Sequence, residues 1–109
     1  MQISTRTSND VHIVAISGSL DSATSPEAQK SLDGVLAGAK KVVLDVSNLD
    51  YISSAGLRVL LGVAKKLRAS GGALRLFGLN QSVKEVFEIS GFSTILSVYP
   101  SEAEALAAS

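Results

Sequence analysis

Short apolar runs alternate along this chain with longer segments whose apolar residues recur at the spacing of a helix. The run Val11-His12-Ile13-Val14-Ala15-Ile16 is mostly β-branched and ends at Ser17-Gly18, which is typical of a strand. Residues 42–46 are almost continuously apolar, which indicates a central strand buried on both faces. The pattern predicts strands at residues 2–7, 11–16, 42–46, 73–77 and 94–98.

Helical spacing marks two segments in the first two thirds of the chain. Ser25 can cap the first, with Pro26 at the first helical position, and this helix is expected to reach Ala37, where Gly38 ends it. The second segment has the clearest apolar stripe. Its inward residues are expected to be Leu57, Leu60, Leu61, Ala64 and Leu67.

Two further helices are predicted towards the end of the chain. Asn80 is a suitable cap for the third, and Gly91 suits its end. The fourth is expected to start at Pro100-Ser101 and to run to Ala107. The apolar positions of the third helix are Val83, Val86, Phe87 and Ile89.

The order of these elements, ββαβαβαβα, predicts the fold class. Strands that alternate with helices indicate an α/β domain with a central mixed, mostly parallel sheet, here of about five strands with about four helices. The first two strands are expected to pair through a turn at residues 8–10. Because 109 residues suit one domain, residues 1–109 are expected to form a single unit.

Composition changes this picture mainly by exclusion. The chain has no cysteine, which excludes disulfides and thiolate metal sites and fits a cytoplasmic protein. Ten basic residues balance ten acidic ones, and aromatic residues are few, so nucleic-acid binding is not expected. The N-terminal residues lack the apolar segment of a signal peptide, and no apolar run approaches the roughly 20 residues that cross a bilayer. Membrane insertion is therefore not expected.

The segment Ser53-Ser54-Ala55-Gly56-Leu57 carries the most chemical information, because it joins a predicted strand region to a helix. A serine at a helix N-terminus caps free backbone N–H groups with its oxygen. If that serine is phosphorylated, the helix start receives a charge of about −1.5 to −2, which it accommodates well. From chemistry alone, capping by Ser53 or Ser54 is the simpler interpretation.

Two other segments accompany this one: Gly18-Ser19-Leu20-Asp21, and the set Val83, Phe87 and Ser90-Gly91-Phe92. Together the three resemble the STAS domain family, in particular the bacterial anti-sigma factor antagonists. They match, in order, the family's G-x-L-D turn after the second strand, its phosphorylation motif and the pattern of its third helix. Because the matches span nearly the whole chain at the expected spacing, the resemblance implies the STAS fold for residues 1–109.

The resemblance also implies a regulatory binding protein rather than an enzyme. The unphosphorylated form would bind an anti-sigma factor that is itself a serine kinase, and would thereby release a sigma factor. Phosphorylation by the kinase would weaken the complex, and a PP2C-type phosphatase would reverse it. By position the acceptor is Ser54, with Ser53 as the alternative because many members of the family carry Asp there.

A partner-binding surface is expected around the acceptor. Asp21 corresponds to a family aspartate near the phosphorylated serine, and Arg58 is expected to be exposed beside Ser54. Ala55 and Gly56 are expected to leave the backbone accessible to a partner. The predicted partner-binding residues are Asp21, Ser53, Ala55, Gly56 and Arg58.

Other functions remain as alternatives. A second hypothesis is that the chain is the STAS-like soluble subunit of a lipid ABC transporter, and a third is that it is a small-molecule or nucleotide sensor. No GxGxxG or GK[ST] motif occurs, so no dinucleotide or P-loop site is predicted. No cofactor is predicted either. His12, Asp45 and Asp50 are interpreted as structural residues, and no catalytic or metal-binding residue is predicted.

Overall fold

The computed structural model of the chain describes residues 1–91 and 96–108. Within them, strands and helices follow one another in the order ββαββαβαβα. The strands are β1 (Gln2–Ser8), β2 (Val11–Leu20), β3 (Lys41–Asp45), β4 (Leu49–Ile52), β5 (Ala73–Phe77) and β6 (Ser97–Tyr99). The helices are α1 (Ser25–Val35), α2 (Ser54–Ala69), α3 (Gln81–Ser90) and α4 (Glu102–Ala107).

The strands form one mixed sheet in the order β1-β2-β3-β5-β6. β1 runs antiparallel to β2, and the other neighbouring pairs on this path are parallel. β3 pairs with the first half of β2, and β4 pairs in parallel with its last residues, 18–20. The predicted α/β class and mostly parallel sheet are confirmed.

β4 is an addition to the predicted order. The sequence predicts a loop at residues 47–50, but Leu49–Ile52 form a strand, so the sheet has six strands rather than about five. Leu49 and Ile52 are buried while the two residues between them are exposed, so the segment lacks the alternation that indicates a strand. β2 also continues past Gly18 to Leu20, with a shift in register between Gly18 and Ser19. Residues 18–20, expected as a turn, are therefore the strand that β4 joins.

The core lies on both faces of the sheet and is unequal in size. The larger cluster packs α1, α2 and α3 against one face. The smaller cluster packs Ala105 of α4 against Ile13, Val43 and Phe77 on the other face. α2 is the longest helix, lies within the larger cluster and follows β4 directly, so its N-terminus lies at the end of β2 and β4.

The observed helix starts agree with the sequence for α3 and α4 and differ for α1. Asn80 caps α3 by accepting from the Val83 amide at 2.8 Å, and Ser101 caps α4. The cap position of α1 is Thr24 rather than Ser25, and the helix ends at Val35. Ser25 is buried, and its hydroxyl donates to the carbonyl of Asp21 instead.

The buried face of α2 is rotated relative to the predicted stripe. Val59 and Val63 are buried, whereas Leu61 and Ala64 are only partly buried. Leu61 also lies outside both core clusters. The buried residues of this helix are Gly56, Leu57, Val59, Leu60, Val63 and Leu67.

Ile89 of α3, expected among the apolar core positions, is 88% exposed. Nothing from the neighbouring described elements covers it, because Val83 and Phe87 already face the sheet from this helix. Three predicted features fall outside the described residues: positions 94–95 of the last strand, Phe92 of the third-helix pattern, and the final residue, Ser109.

Candidate functional site

The junction between β4 and α2 is tied to the end of β2 by backbone hydrogen bonds. The Ser53 amide donates to the Leu20 carbonyl at 2.9 Å, and the Gly18 amide donates to the Asn48 carbonyl at 3.0 Å. These bonds set the start of α2 beside the residue that follows β2, Asp21. The structure thus brings together two segments that lie more than thirty residues apart in the sequence.

Ser53 is the N-cap of α2. Its backbone is extended, with φ −96° and ψ 176°, and its Oγ accepts from the Gly56 amide at 3.3 Å. Its carbonyl accepts from the Leu57 amide, which is the first bond of the helix. The Ser53 hydroxyl is therefore half-buried and already used in capping.

Ser54 differs from its neighbour in both respects. It is the first residue of α2, it is exposed, and its hydroxyl forms no hydrogen bond with any residue the structure describes. It lies where the positive end of the helix dipole and free backbone N–H groups favour an anion. A phosphate on Ser54 would leave the Ser53 cap in place.

Packing requires a glycine at position 56, which the sequence interpretation did not include. It is buried, and a Cβ at this position would lie 2.6 Å from the Leu20 carbonyl oxygen and 2.8 Å from Ile52 Cγ1. The absent side chain makes room for the end of β2 rather than for a partner. Ala55, between Gly56 and Ser54, is only partly buried.

Asp21 closes the turn that leads from β2 to α1. Its Oδ1 accepts from the Thr24 amide at 3.0 Å and from the Ala23 amide at 2.9 Å. The hydrogen bond from the Thr24 amide lowers the pKa of the Asp21 carboxyl. Burial opposes this with a smaller effect, and the hydrogen bond from the Ala23 amide lowers the pKa further. Asp21 is therefore an ionised side chain beside the start of α2, committed to the shape of this turn.

Arg58 is exposed, one helical turn after Ser54, so the two side chains lie on the same face of α2. It forms no ion pair within residues 1–91 and 96–108. A guanidinium in this position can bind a phosphate or a carboxylate.

Tyr51 is a surface residue that the sequence interpretation missed. It is 52% exposed on β4, three residues before Ser54. Aromatic residues with this exposure beside a binding site are frequent anchors for a partner protein. The sequence did not indicate that Tyr51 is exposed, because β4 lacks strand alternation and its outward-facing positions could not be assigned.

The other titratable candidates have local roles. Asp45 accepts from the Ser47 amide at 3.0 Å in the turn after β3. His12 is half-buried in β2, and its Nδ1 has no hydrogen-bond partner among the described residues. Across the same residues, no group of three or more His, Cys, Asp or Glu side chains is placed to bind a metal ion. No described helix has the length and apolar character needed to span a membrane.

Comparison with solved structures shows the same fold. An anti-sigma factor antagonist from Mycobacterium paratuberculosis superposes with a TM-score of 0.89 at 23% identity, over 98% of this chain and 92% of that chain. The Bacillus cell fate determinant SpoIIAA, solved in its phosphorylated form, superposes with a TM-score of 0.72 at 19% identity, over 97% of each chain. At these identities the likeness is one of fold alone.

Sequence comparison identifies the family. BtrV of Bordetella bronchiseptica, provisionally described as an anti-sigma factor antagonist, is 48% identical over 97 residues, which cover 88% of this chain and 84% of BtrV. The anti-sigma F factor antagonist of Paenibacillus polymyxa is 32% identical over 108 residues, covering 97% and 92% of the two chains. The family model described as the STAS domain matches residues 2–105. The chain therefore belongs to the STAS domain family.

Proposed function

We propose that this chain is an anti-sigma factor antagonist that is switched off by phosphorylation of Ser54. The observation that carries the proposal is the division of labour between two adjacent serines: Ser53 caps α2, and Ser54 presents a free hydroxyl at the start of the same helix. The proposal is supported by relatives 32% and 48% identical that are described as antagonists of anti-sigma factors.

The proposed reaction is a phosphoryl transfer from ATP held by a partner kinase. Ser54 Oγ attacks the γ-phosphorus, the bond from that phosphorus to the ADP oxygen breaks, and the hydroxyl proton passes to a base of the kinase. A PP2C-type phosphatase would return the serine by hydrolysis. Both steps need the hydroxyl to be accessible, and the exposure of Ser54 provides this.

The switch would act through charge at the surface rather than through refolding. A phosphate adds about −1.5 to −2 charges at pH 7 and is well accommodated at a helix N-terminus, so the domain stays folded. The phosphate would repel an acidic partner surface that binds at the start of α2. In the unphosphorylated state, Asp21 would shape the adjacent turn, and Tyr51 and Arg58 would contact the partner.

The test is phosphate mapping with the anti-sigma factor kinase of the source organism and ATP. Wild type should gain one phosphate, and Ser54→Ala should gain none. Ser53→Ala is the matched control: it should still be phosphorylated, although loss of its cap should lower stability by about 1 kcal/mol. Phosphate retained in Ser54→Ala and lost in Ser53→Ala would overturn the assignment.

A further inference from the structure

The outward face of α2 continues from Ser54 for three helical turns. Ser54, Arg58 and Lys65 are exposed and lie along one line of the helix, with Leu61 and Gly62 on either side of it. The distance from Ser54 to Lys65 along the axis is about 16 Å, at 1.5 Å per residue. We call Ser54, Arg58, Leu61, Gly62 and Lys65 the outer stripe.

Gly62 lies in the middle of α2, where a glycine weakens a helix relative to alanine. A Cβ at Gly62 would meet nothing within 4 Å, so no contact among the described residues requires the glycine. Gly56, in the same helix, is the contrast, because a Cβ there would collide with the Leu20 carbonyl. The open space over Gly62 is what close approach of another molecule would need.

Leu61 adds an apolar contact point to the stripe. It is only partly buried and belongs to neither core cluster, although it is a large side chain in the centre of the longest helix. A partly buried leucine next to an open glycine forms a small apolar step on an otherwise polar face.

The charge of α2 is strongly one-sided. The helix carries Arg58, Lys65, Lys66 and Arg68 and no acidic residue, in a chain whose formal net charge is zero. Lys66 pairs with Asp33 at 2.8 Å, whereas Arg58 and Lys65 pair with no acidic group among the described residues. The outer stripe therefore offers unpaired cations at two points, one helical turn on each side of Leu61 and Gly62.

We propose that the anti-sigma factor binds along the whole outer stripe, not only at Ser54, with an acidic amphipathic helix of the partner packed across Gly62. The partner's carboxylates would pair with Arg58 and Lys65, and one of its apolar residues would pack on Leu61. This inference rests on the proposed function and extends its binding surface to three residues that lie away from the phosphorylation site: Leu61, Gly62 and Lys65.

The stripe also gives the phosphate a second way to weaken binding. A phosphate on Ser54 lies one turn before Arg58 and can pair with it within the same helix. Such a pair would remove Arg58 from the partner's carboxylates at the same time as the phosphate repels them. Both effects act on the same end of the stripe and in the same direction.

The test measures the affinity of the purified anti-sigma factor for unphosphorylated variants of this chain, by calorimetry. Gly62→Leu should raise Kd by about tenfold or more, because a side chain would fill the space of the partner. Gly34→Leu is the matched control, since Gly34 is also helical with nothing within 4 Å of its Cβ, but lies on α1. Lys65→Glu should raise Kd severalfold, and Lys30→Glu on α1 should not.

The outcomes separate this inference from the proposed function. Weaker binding by Gly62→Leu and Lys65→Glu, with both α1 controls unchanged, supports the outer stripe. Unchanged binding by both α2 variants, while Ser54→Asp still disrupts the complex, overturns the stripe and leaves the switch intact. Failure of the anti-sigma factor to bind wild type overturns both. Light scattering that shows a dimer lost only in Gly62→Leu would assign the stripe to a second copy of the chain, against the proposal.

Discussion

The two faces of α2 use glycine for different purposes. On the inward face, Gly56 lets the helix start pack against Leu20, where a Cβ would lie 2.6 Å from a carbonyl oxygen. On the outward face, Gly62 has open space around it. Packing inside the chain accounts for the first glycine and leaves the second without a reason. Gly62 weakens its own helix and serves no internal contact, so it leaves this face open to the close approach of another molecule.

The same comparison holds for two adjacent leucines. Leu60 is fully buried in the larger core, and Leu61 is partly exposed and outside it. Truncating a buried leucine removes its burial and leaves a cavity, whereas truncating a surface leucine removes little. If the outer stripe binds a partner, truncating Leu60 should mainly lower stability, and truncating Leu61 should mainly weaken binding.

The largest expected effect is therefore the difference between Leu60→Ala and Leu61→Ala. Leu60→Ala should lower the free energy of unfolding by about 2–5 kcal/mol. Leu61→Ala should change it by less than about 1 kcal/mol, since the side chain is not part of either core cluster. Urea titration followed by circular dichroism measures both. Similar losses in the two variants would mean that Leu61 belongs to the core and that the two faces are not distinct.

A smaller effect of opposite signs is expected for the glycines. Gly56→Ala should destabilise the protein by about 1–3 kcal/mol, because the new methyl group meets backbone that cannot move aside. Gly62→Ala should stabilise it by roughly 0.5–1 kcal/mol, because alanine favours the helix and meets nothing. Thermal unfolding of the two variants measures the signs directly. A loss of stability in Gly62→Ala would show that the glycine has an internal role after all.

Much of the fold could be predicted because the controlling signals are local. A few adjacent residues are enough to indicate the local structure at three places: the caps Asn80 and Ser101 and the apolar run at residues 42–46. β4 could not be predicted, because its pairing with residues 18–20 creates a strand from a segment without alternation. The exposure of Ile89 likewise depends on which faces the sheet covers, which sequence spacing alone does not specify.

The candidate site was predicted in position but not in detail. The motif placed Ser53 and Ser54 at the start of a helix, and the structure agrees. Which serine caps the helix depends on the extended backbone of Ser53 and on its bond to Leu20, contacts made by a strand distant in sequence. The burial of Gly56 follows from the same contact. Tertiary neighbours, rather than local chemistry, divide the roles of the two serines.

The most direct test of the account compares one chain in two states. The purified anti-sigma factor is titrated into unphosphorylated protein and into protein carrying one phosphate, mapped to Ser54. The phosphate should lower the affinity by about tenfold or more, which corresponds to roughly 1.4 kcal/mol or more, while the circular dichroism spectrum stays the same. Equal affinity in the two states, with the phosphate on Ser54 verified, would contradict the switch.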